Sequence, residues 1–358
     1  MKIPFRACFA VFSSAVCAAA GLTLRGGGHA QPPLRIAWPV MGTEAAVICL
    51  QPARAAAVDA ARETVQRTFE RFEAALSAWD GASELSRING LAGTGRKFKA
   101  GDETLRVCRA AKELATLSGG AFNPLVGPAM KLYGFNGADG TQSLPDRKAL
   151  DAIPADPADI EISAGGEISL ARAGMKLDLG GIAKGAAVDA AFEALVRAGL
   201  DGGAMVDLGG NLRAGGAGPA EGGGWEVAVR DPFSKGASAA RIRLEPGEAV
   251  ATSGNYERFR TVGGKRVSHI LDGRTRLPSS GVAGCTVVAG DAMTADGLST
   301  TLFILGPEDG ARFLKDSGIS AFALWIPDSP ESREIIVNGA MARRLAESAE
   351  GWRVRRLP

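Results

Sequence analysis

The chain has 358 residues, 46% of them hydrophobic, and sets 41 Lys and Arg against 39 Asp and Glu, a formal net charge of +2. So even a balance leaves no electrostatic footprint for nucleic acid, and neither a basic stripe nor an aromatic-rich platform interrupts it. The only two histidines are His29 and His269, which excludes a zinc site of the His-rich kind.

In chain order, Lys2 and Arg6 precede an apolar stretch over 7–24, and Gly28-His-Ala30 puts small residues at minus three and minus one from Gln31. That is the pattern of an export leader. Cleavage would remove residues 1–30 and deliver 31–358 to the periplasm as one large domain without a membrane span. A retained N-terminal anchor is the alternative. Loss of Cys8 and Cys17 with the leader leaves Cys49, Cys108 and Cys285, an odd set that cannot complete a disulfide framework and reads as buried thiols.

A first strand is expected over 35–50. An amphipathic helix follows, with Val58, Val65, Phe69, Phe72 and Leu76 on one face, and another begins near Asp102 with Leu105, Cys108 and Leu114 inward. Strands are expected near 167–170, 175–179, 204–208, 225–229, 240–244 and 247–251, with the glycine-dense stretch 202–224 forming turns between strands. Strands at 282–289 and 321–326 enclose helices over 292–302 and 307–317, and the Arg- and Ala-rich tail from Met341 is expected to be helical. Helices and strands in this mixed succession give an α+β fold.

Two segments carry the chemistry. The first, Lys176-Leu-Asp-Leu-Gly-Gly-Ile-Ala-Lys-Gly-Ala-Ala-Val-Asp189, delivers one carboxylate and then opens through Gly180 and Gly181 into a helix, where free N–H groups and Lys184 would face an anion. An ordinary glycine-capped turn would read the same way. The second is Asp291-Ala-Met-Thr-Ala-Asp-Gly-Leu-Ser-Thr-Thr-Leu302, which in a helix places Asp296 and Thr300 one turn apart on one face, either to hold an ion or as a solvated polar stripe. With histidines and cysteines too few and scattered, a metal here must be held by oxygen. This points to Mg²⁺ or Ca²⁺, and Mg²⁺ commonly works with one or two carboxylates and a substrate's phosphates.

The chain resembles the ApbE family, the FAD:protein FMN transferases, from about Ala37 to beyond Leu305. The motifs that carry the resemblance are Met41-Gly-Thr43, Leu76-Ser-Ala-Trp-Asp80, Ser83-Glu-Leu-Ser-Arg-Ile-Asn89, Gly119-Gly-Ala-Phe-Asn-Pro124 and Leu177-Asp-Leu-Gly-Gly-Ile-Ala-Lys-Gly185 with Asp189. They continue in family order through Val206-Asp-Leu-Gly-Gly210, Trp225 with Asp231-Pro232, Thr252-Ser-Gly-Asn-Tyr-Glu257, Ser268-His-Ile-Leu-Asp272 and Ala295-Asp296 with Thr300.

The resemblance implies an ApbE-like domain of mixed, largely antiparallel sheets flanked by helices. It also implies FAD contacts at Met41, Trp79, Ala121, Phe122, Asn123, Asp178, Lys184 and Ile270, and Mg²⁺ ligands at the Ala183 carbonyl, Asp296 and Thr300. In the implied reaction FAD is the substrate. A threonine or serine hydroxyl of a partner flavoprotein, in a Ser/Thr-Gly-Ala-Ser/Thr motif, attacks the FMN-side phosphorus; AMP departs and FMN stays as a phosphoester. His269 is the only side chain beyond the leader with a reference pKa near 6.5, which suits it to take the hydroxyl proton. An FAD pyrophosphatase and a catalytically weak flavin-binding protein are the alternatives. The chain departs from the family pattern at Asn123, Asn211 and Asn255, where many relatives have Asp, and at Gly273-Arg-Thr-Arg276, where Pro-Arg-Thr-Gly is more usual.

Overall fold

The computed structural model describes residues 34–50, 55–135, 143–200, 202–256, 258–262 and 265–358. The expected leader lies outside them, and among the described residues no helix is long and apolar enough to cross a membrane. Seven helices are described: α1 (Ala55–Leu76), α2 (Glu84–Gly90), α3 (Asp102–Leu117), α4 (Gly127–Leu132), α5 (Arg147–Asp151), α6 (Ala183–Arg197) and α7 (Ala292–Ser317).

Nine strands form one sheet whose spatial order follows the chain: Leu34–Val40, Thr43–Cys49, Ala204–Leu208, Asn211–Gly215, Ala249–Gly254, Val282–Ala289, Phe322–Pro327, Glu334–Val337 and Arg353–Arg356. Neighbours are antiparallel except in the last pair, which is parallel. Val282–Ala289 is buried at every position, as a strand covered on both faces must be. One face packs on α1, α6 and α7; the expected stripe of Val65, Phe69, Phe72 and Leu76 lies in this core, and Val58's side chain lies outside what is described. The other face, through Leu212, Val250 and Leu324, meets a three-stranded antiparallel sheet of Trp225–Arg230, Ser238–Leu244 and Leu345–Ser348. The architecture is α+β.

Where the chain departs from sequence expectation, a specific contact explains it. Residues 35–50 form a hairpin because Met41 (φ 50°) and Gly42 (φ 67°) both take left-handed backbone, the pattern of a two-residue type I′ turn. Residues 175–179 alternate like a strand but pair with none. The Asn89 side chain instead serves Leu177, accepting its N–H at 2.7 Å and donating to its carbonyl at 3.0 Å, while Asp178 N–H donates to the Pro124 carbonyl at 2.7 Å.

The glycine-dense stretch holds the strand Asn211–Gly215, and the tail from Met341 gives one short turn and then two strands, sheet pairing overriding helix propensity. The helices expected over 292–302 and 307–317 are one element broken at Gly306 (φ 75°), just before Pro307. All three described cysteines are free thiols; Cys108 and Cys285 are buried as expected, and Cys49 is half-buried. Burial pushes Cys108 up to about 12 and Cys285 well above the usual thiol range, which leaves both inert.

Candidate functional site

The site forms where the start of α6 meets the first two turns of α7. Gly185 permits the approach: a Cβ there would lie 2.1 Å from the Ala292 carbonyl oxygen and 2.7 Å from Asp296 Cβ. Gly185 N–H donates to Asp296 Oδ2 at 2.9 Å. One turn further along α7, Thr300 Oγ1 donates to the Gly181 carbonyl at 3.4 Å, and a Cβ on Gly181 would press on both that hydroxyl (3.0 Å) and the Phe122 ring (3.2 Å). Asp296 and Thr300 therefore engage the two ends of the segment 181–185, with Ala183, the first residue of α6, between them.

The rotation of α7 is set at its first turn. Asp291 accepts from Thr294 N–H at 2.7 Å, and Asp189 reaches from α6 to accept the N–H groups of Ala292 and Met293 at 2.8 and 2.9 Å. Arg213 also donates to Asp189, at 2.9 Å. Asp189, one of the motif carboxylates, is thus a helix cap, and the face it fixes is the one that presents Asp296 and Thr300.

Asp296 is 4% exposed, and burial raises its carboxyl above the ordinary range against the pull of Lys184 and of backbone donors. Asn211, 1% exposed, lies between the two: with the amide oriented to satisfy both neighbours, its oxygen accepts from Lys184 Nζ at 2.9 Å and its nitrogen donates to Asp296 Oδ1 at 3.2 Å. Nearby Asp207 accepts from Gly210 N–H at 2.9 Å; burial pushes it up to about 6, opposed by that bond and by Arg35 and Lys184. Ser253 bonds Ser299 Oγ at 2.8 Å and Thr300 Oγ1 at 3.2 Å. Sequence reasoning gave Asp207, Asn211 and Ser253 no role, although two lie inside matched motifs and Asn211 directly follows one.

A carboxylate, a hydroxyl and a carbonyl are hard oxygen donors, a set that fits Mg²⁺ with its remaining positions left to water and phosphate. Among the described residues no group of three His, Cys, Asp or Glu could hold a metal.

His269 is half-buried, and its Nδ1 lies 2.8 Å from the Arg258 carbonyl oxygen. A carbonyl only accepts, so Nδ1 carries the proton and Nε2 keeps its lone pair. Burial and the charges of Arg258 and Lys184 lower its pKa to about 4, opposed by the Arg258 carbonyl and by Asp178. The imidazole is neutral at pH 7. Asp272, the other basic candidate nearby, is held by Arg274 through Nε to Oδ1 at 2.9 Å and Nη2 to Oδ2 at 2.7 Å.

The remaining expected contacts range from buried to exposed side chains. Asp178 is half-buried and accepts from Gly180 N–H at 3.0 Å. Ala121, Phe122 and Asn123 are buried, and the Asn123 side chain faces inward, accepting from Leu125 N–H at 2.9 Å and donating to the Ala155 carbonyl at 2.8 Å. Ile270 is buried in the main core, its N–H bonded to Ser268 Oγ and its carbonyl to Ser279 N–H. Met41 tops the first hairpin beside Thr43, against which Gly209 packs. Trp79 is 62% exposed in the loop between α1 and α2, outside the core and without a hydrogen bond to the cluster.

The family model described as "ApbE family" matches residues 41–323. A FAD:protein FMN transferase of Treponema pallidum is 35% identical over 309 residues, 81% of this chain and 83% of that protein. One of Rhodobacter capsulatus is 32% identical over 87% of this chain, which spans only 60% of that longer relative. Among solved structures, the flavin transferase ApbE of Vibrio cholerae aligns over 88% of this chain and 100% of its own at 28% identity, with a TM-score of 0.75. The ApbE protein of Thermotoga maritima aligns over 83% and 95% at 29% identity, with a TM-score of 0.73. With the fold, the ordered motifs and these likenesses in agreement, the chain belongs to the ApbE family.

Proposed function

We propose that the protein is an FAD:protein FMN transferase that moves FMN from FAD to a threonine or serine hydroxyl of a partner flavoprotein. The observation that carries the reading is the gathering of Ala183, Asp296 and Thr300 on one glycine turn, with Lys184 beside them. Mg²⁺ held by the Ala183 carbonyl, Asp296 and Thr300 would neutralise charge on the FAD diphosphate. Lys184 would bind phosphate oxygens and hold the diphosphate in one orientation, whereas the N–H groups opening α6, expected to face an anion, are taken by the Leu179 and Ile182 carbonyls and by Asp296.

His269 Nε2 would take the proton as the acceptor oxygen bonds to the FMN-side phosphorus. The bond from that phosphorus to the bridging oxygen breaks, AMP leaves, and the acceptor keeps a phosphoester-linked FMN. A neutral imidazole suits this role, whereas Asp272 in its forked pair with Arg274 does not. The exposed ring of Trp79 offers a stacking face for a flat heterocycle. Export behind residues 1–30 belongs to the same proposal, and N-terminal sequencing from the native host should find a chain starting at Gln31.

The test is incubation of purified protein with FAD, Mg²⁺ and a flavoprotein bearing a Ser/Thr-Gly-Ala-Ser/Thr segment, followed by intact mass of the acceptor. Gain of one FMN supports transfer. Release of FMN and AMP with an unmodified acceptor would instead make the protein an FAD pyrophosphatase, and FAD bound but uncleaved would make it a flavin-binding protein.

A further inference from the structure

A lysine and an aspartate sharing a buried site normally close into an ion pair. Lys184 and Asp296 act on each other electrostatically, yet no direct ion pair joins them; Asn211 stands between, accepting from Nζ and donating to Oδ1. We infer that Asn211 is a neutral spacer, a positioning residue that keeps the Lys184 ammonium off the Asp296 carboxylate so that one charge stays available to an anion and the other to a cation.

The amide suits this task because it is at once a donor and an acceptor without net charge. Its place is fixed: Asn211 opens the strand Asn211–Gly215, pairs with Leu208 across the Gly209-Gly210 turn, and is almost wholly buried. An apolar side chain there would satisfy neither neighbour. The flexible lysine stem would then let Nζ move onto Asp296 Oδ1, cancelling both charges. A carboxylate at the same position would capture Lys184 itself while adding a second negative charge beside Asp296. The two replacements therefore predict opposite changes in cation affinity and the same change in anion affinity, a pattern that loss of packing alone does not produce.

The inference rests on the reading of Asp296 as a cation ligand and Lys184 as an anion contact, and the test separates the two. Mn²⁺ uptake by nucleotide-free protein, read from the electron paramagnetic resonance of free Mn²⁺, reports Asp296. Calorimetric binding of inorganic pyrophosphate without metal reports Lys184. Asn211→Leu should weaken both by about tenfold or more, the scale on which a directly adjacent opposite charge acts on a carboxylate or an ammonium. In a Lys184→Met background the same substitution should leave Mn²⁺ uptake nearly unchanged, because no ammonium remains to close on Asp296. Asn211→Asp, close to isosteric, should weaken pyrophosphate and tighten Mn²⁺.

An equal Mn²⁺ loss in both backgrounds, or no loss in either, would overturn the spacer. So would Asn211→Asp with unchanged pyrophosphate affinity. A wild-type protein that takes up neither probe would overturn the reading of the site as well.

Discussion

Gly185→Ala tests whether the contact between α6 and α7 builds the site. The new Cβ would sit 2.1 Å from the Ala292 carbonyl oxygen, so the helices must separate by about 3.4 − 2.1 = 1.3 Å to reach ordinary contact. The obstacle is backbone, which no rotamer change can relieve. Such a shift carries Gly185 N–H out of bonding range of Asp296 Oδ2, now at 2.9 Å, and pulls Ala292 and Met293 from Asp189. Overpacking costs ~1–3 kcal/mol, and a lost hydrogen bond to a buried carboxylate adds about 1.5–3 kcal/mol. A loss of roughly 2.5–6 kcal/mol follows, a large part of the ~5–15 kcal/mol of a folded domain. Thermal unfolding followed by circular dichroism would measure it, with Gly290→Ala as control: a Cβ there meets nothing within 4 Å, and its effect should stay within about 0.5 kcal/mol. If Gly185→Ala melted with the wild type, the helices would not be in the contact described and the site would lose its foundation.

Asp296→Ala should abolish Mg²⁺-dependent FAD cleavage while some FAD binding survives, and should do so more completely than Thr300→Ala, since a neutral hydroxyl is the weaker ligand; cleavage and FAD titration would be compared side by side. His269→Ala should lower transfer by about two to four decades with little change in FAD affinity, read by single-turnover mass spectrometry. The wild-type rate should hold down to about pH 5 and fall through a pKa of about 4, because the folded imidazole is the weaker base. The stability sign agrees: with a folded pKa of about 4 below an unfolded value of ~6.5, this group's contribution is present above pH 6.5 and is lost as pH falls toward 4. Asn255→Asp should cost about 1–3 kcal/mol at pH 7, because Asn255 Nδ2 donates to Asp328 Oδ2 at 3.1 Å and a carboxylate there would oppose a carboxylate. Chemical unfolding at pH 7 and pH 4 should show the deficit shrinking as the introduced acid protonates.

What the sequence made legible was whatever local periodicity controls. The stripe of Val65, Phe69, Phe72 and Leu76 and the run Val282–Ala289 needed only spacing and burial, and both appear where expected. The shared face of Asp296 and Thr300 was legible for the same reason. What the chain does not announce is a side chain doing backbone work at long range. Asn89 completes the hydrogen bonding of Leu177, 88 residues away, so alternation at 175–179 promised a strand that no partner strand forms. Asp189 belongs to a matched motif, and nothing near it in sequence tells that it caps a helix beginning over a hundred residues later. The bridging role of Asn211 depends on two helices and a strand meeting, which no window of sequence contains.

The departures from the family pattern follow one physical rule. At Asn123, Asn211 and Asn255 the amide nitrogen donates to an oxygen: the Ala155 carbonyl at 2.8 Å, Asp296 Oδ1 at 3.2 Å and Asp328 Oδ2 at 3.1 Å. An ionised carboxylate can make none of these bonds, so each asparagine answers an acceptor fixed elsewhere in the chain. Gly273 obeys a related constraint. Its N–H donates to the Ala121 carbonyl at 3.0 Å, a bond proline lacks, and a Cβ there would lie 2.3 Å from Asn123 Cβ. Arg276 takes left-handed backbone (φ 60°) where glycine is more usual, and its Nη2 reaches the Ile153 carbonyl at 3.1 Å. Gly273 and Asn123 thus fit each other, and the altered loop after Asp272 fastens to the segment 120–123. Two separate departures become one local exchange of contacts at Asn123, next to Phe122, whose ring borders Gly181 of the turn that Thr300 reaches. In the proposed reaction these changes would alter how that wall is braced without altering Ala183, Asp296 and Thr300, the oxygen set proposed to hold Mg²⁺.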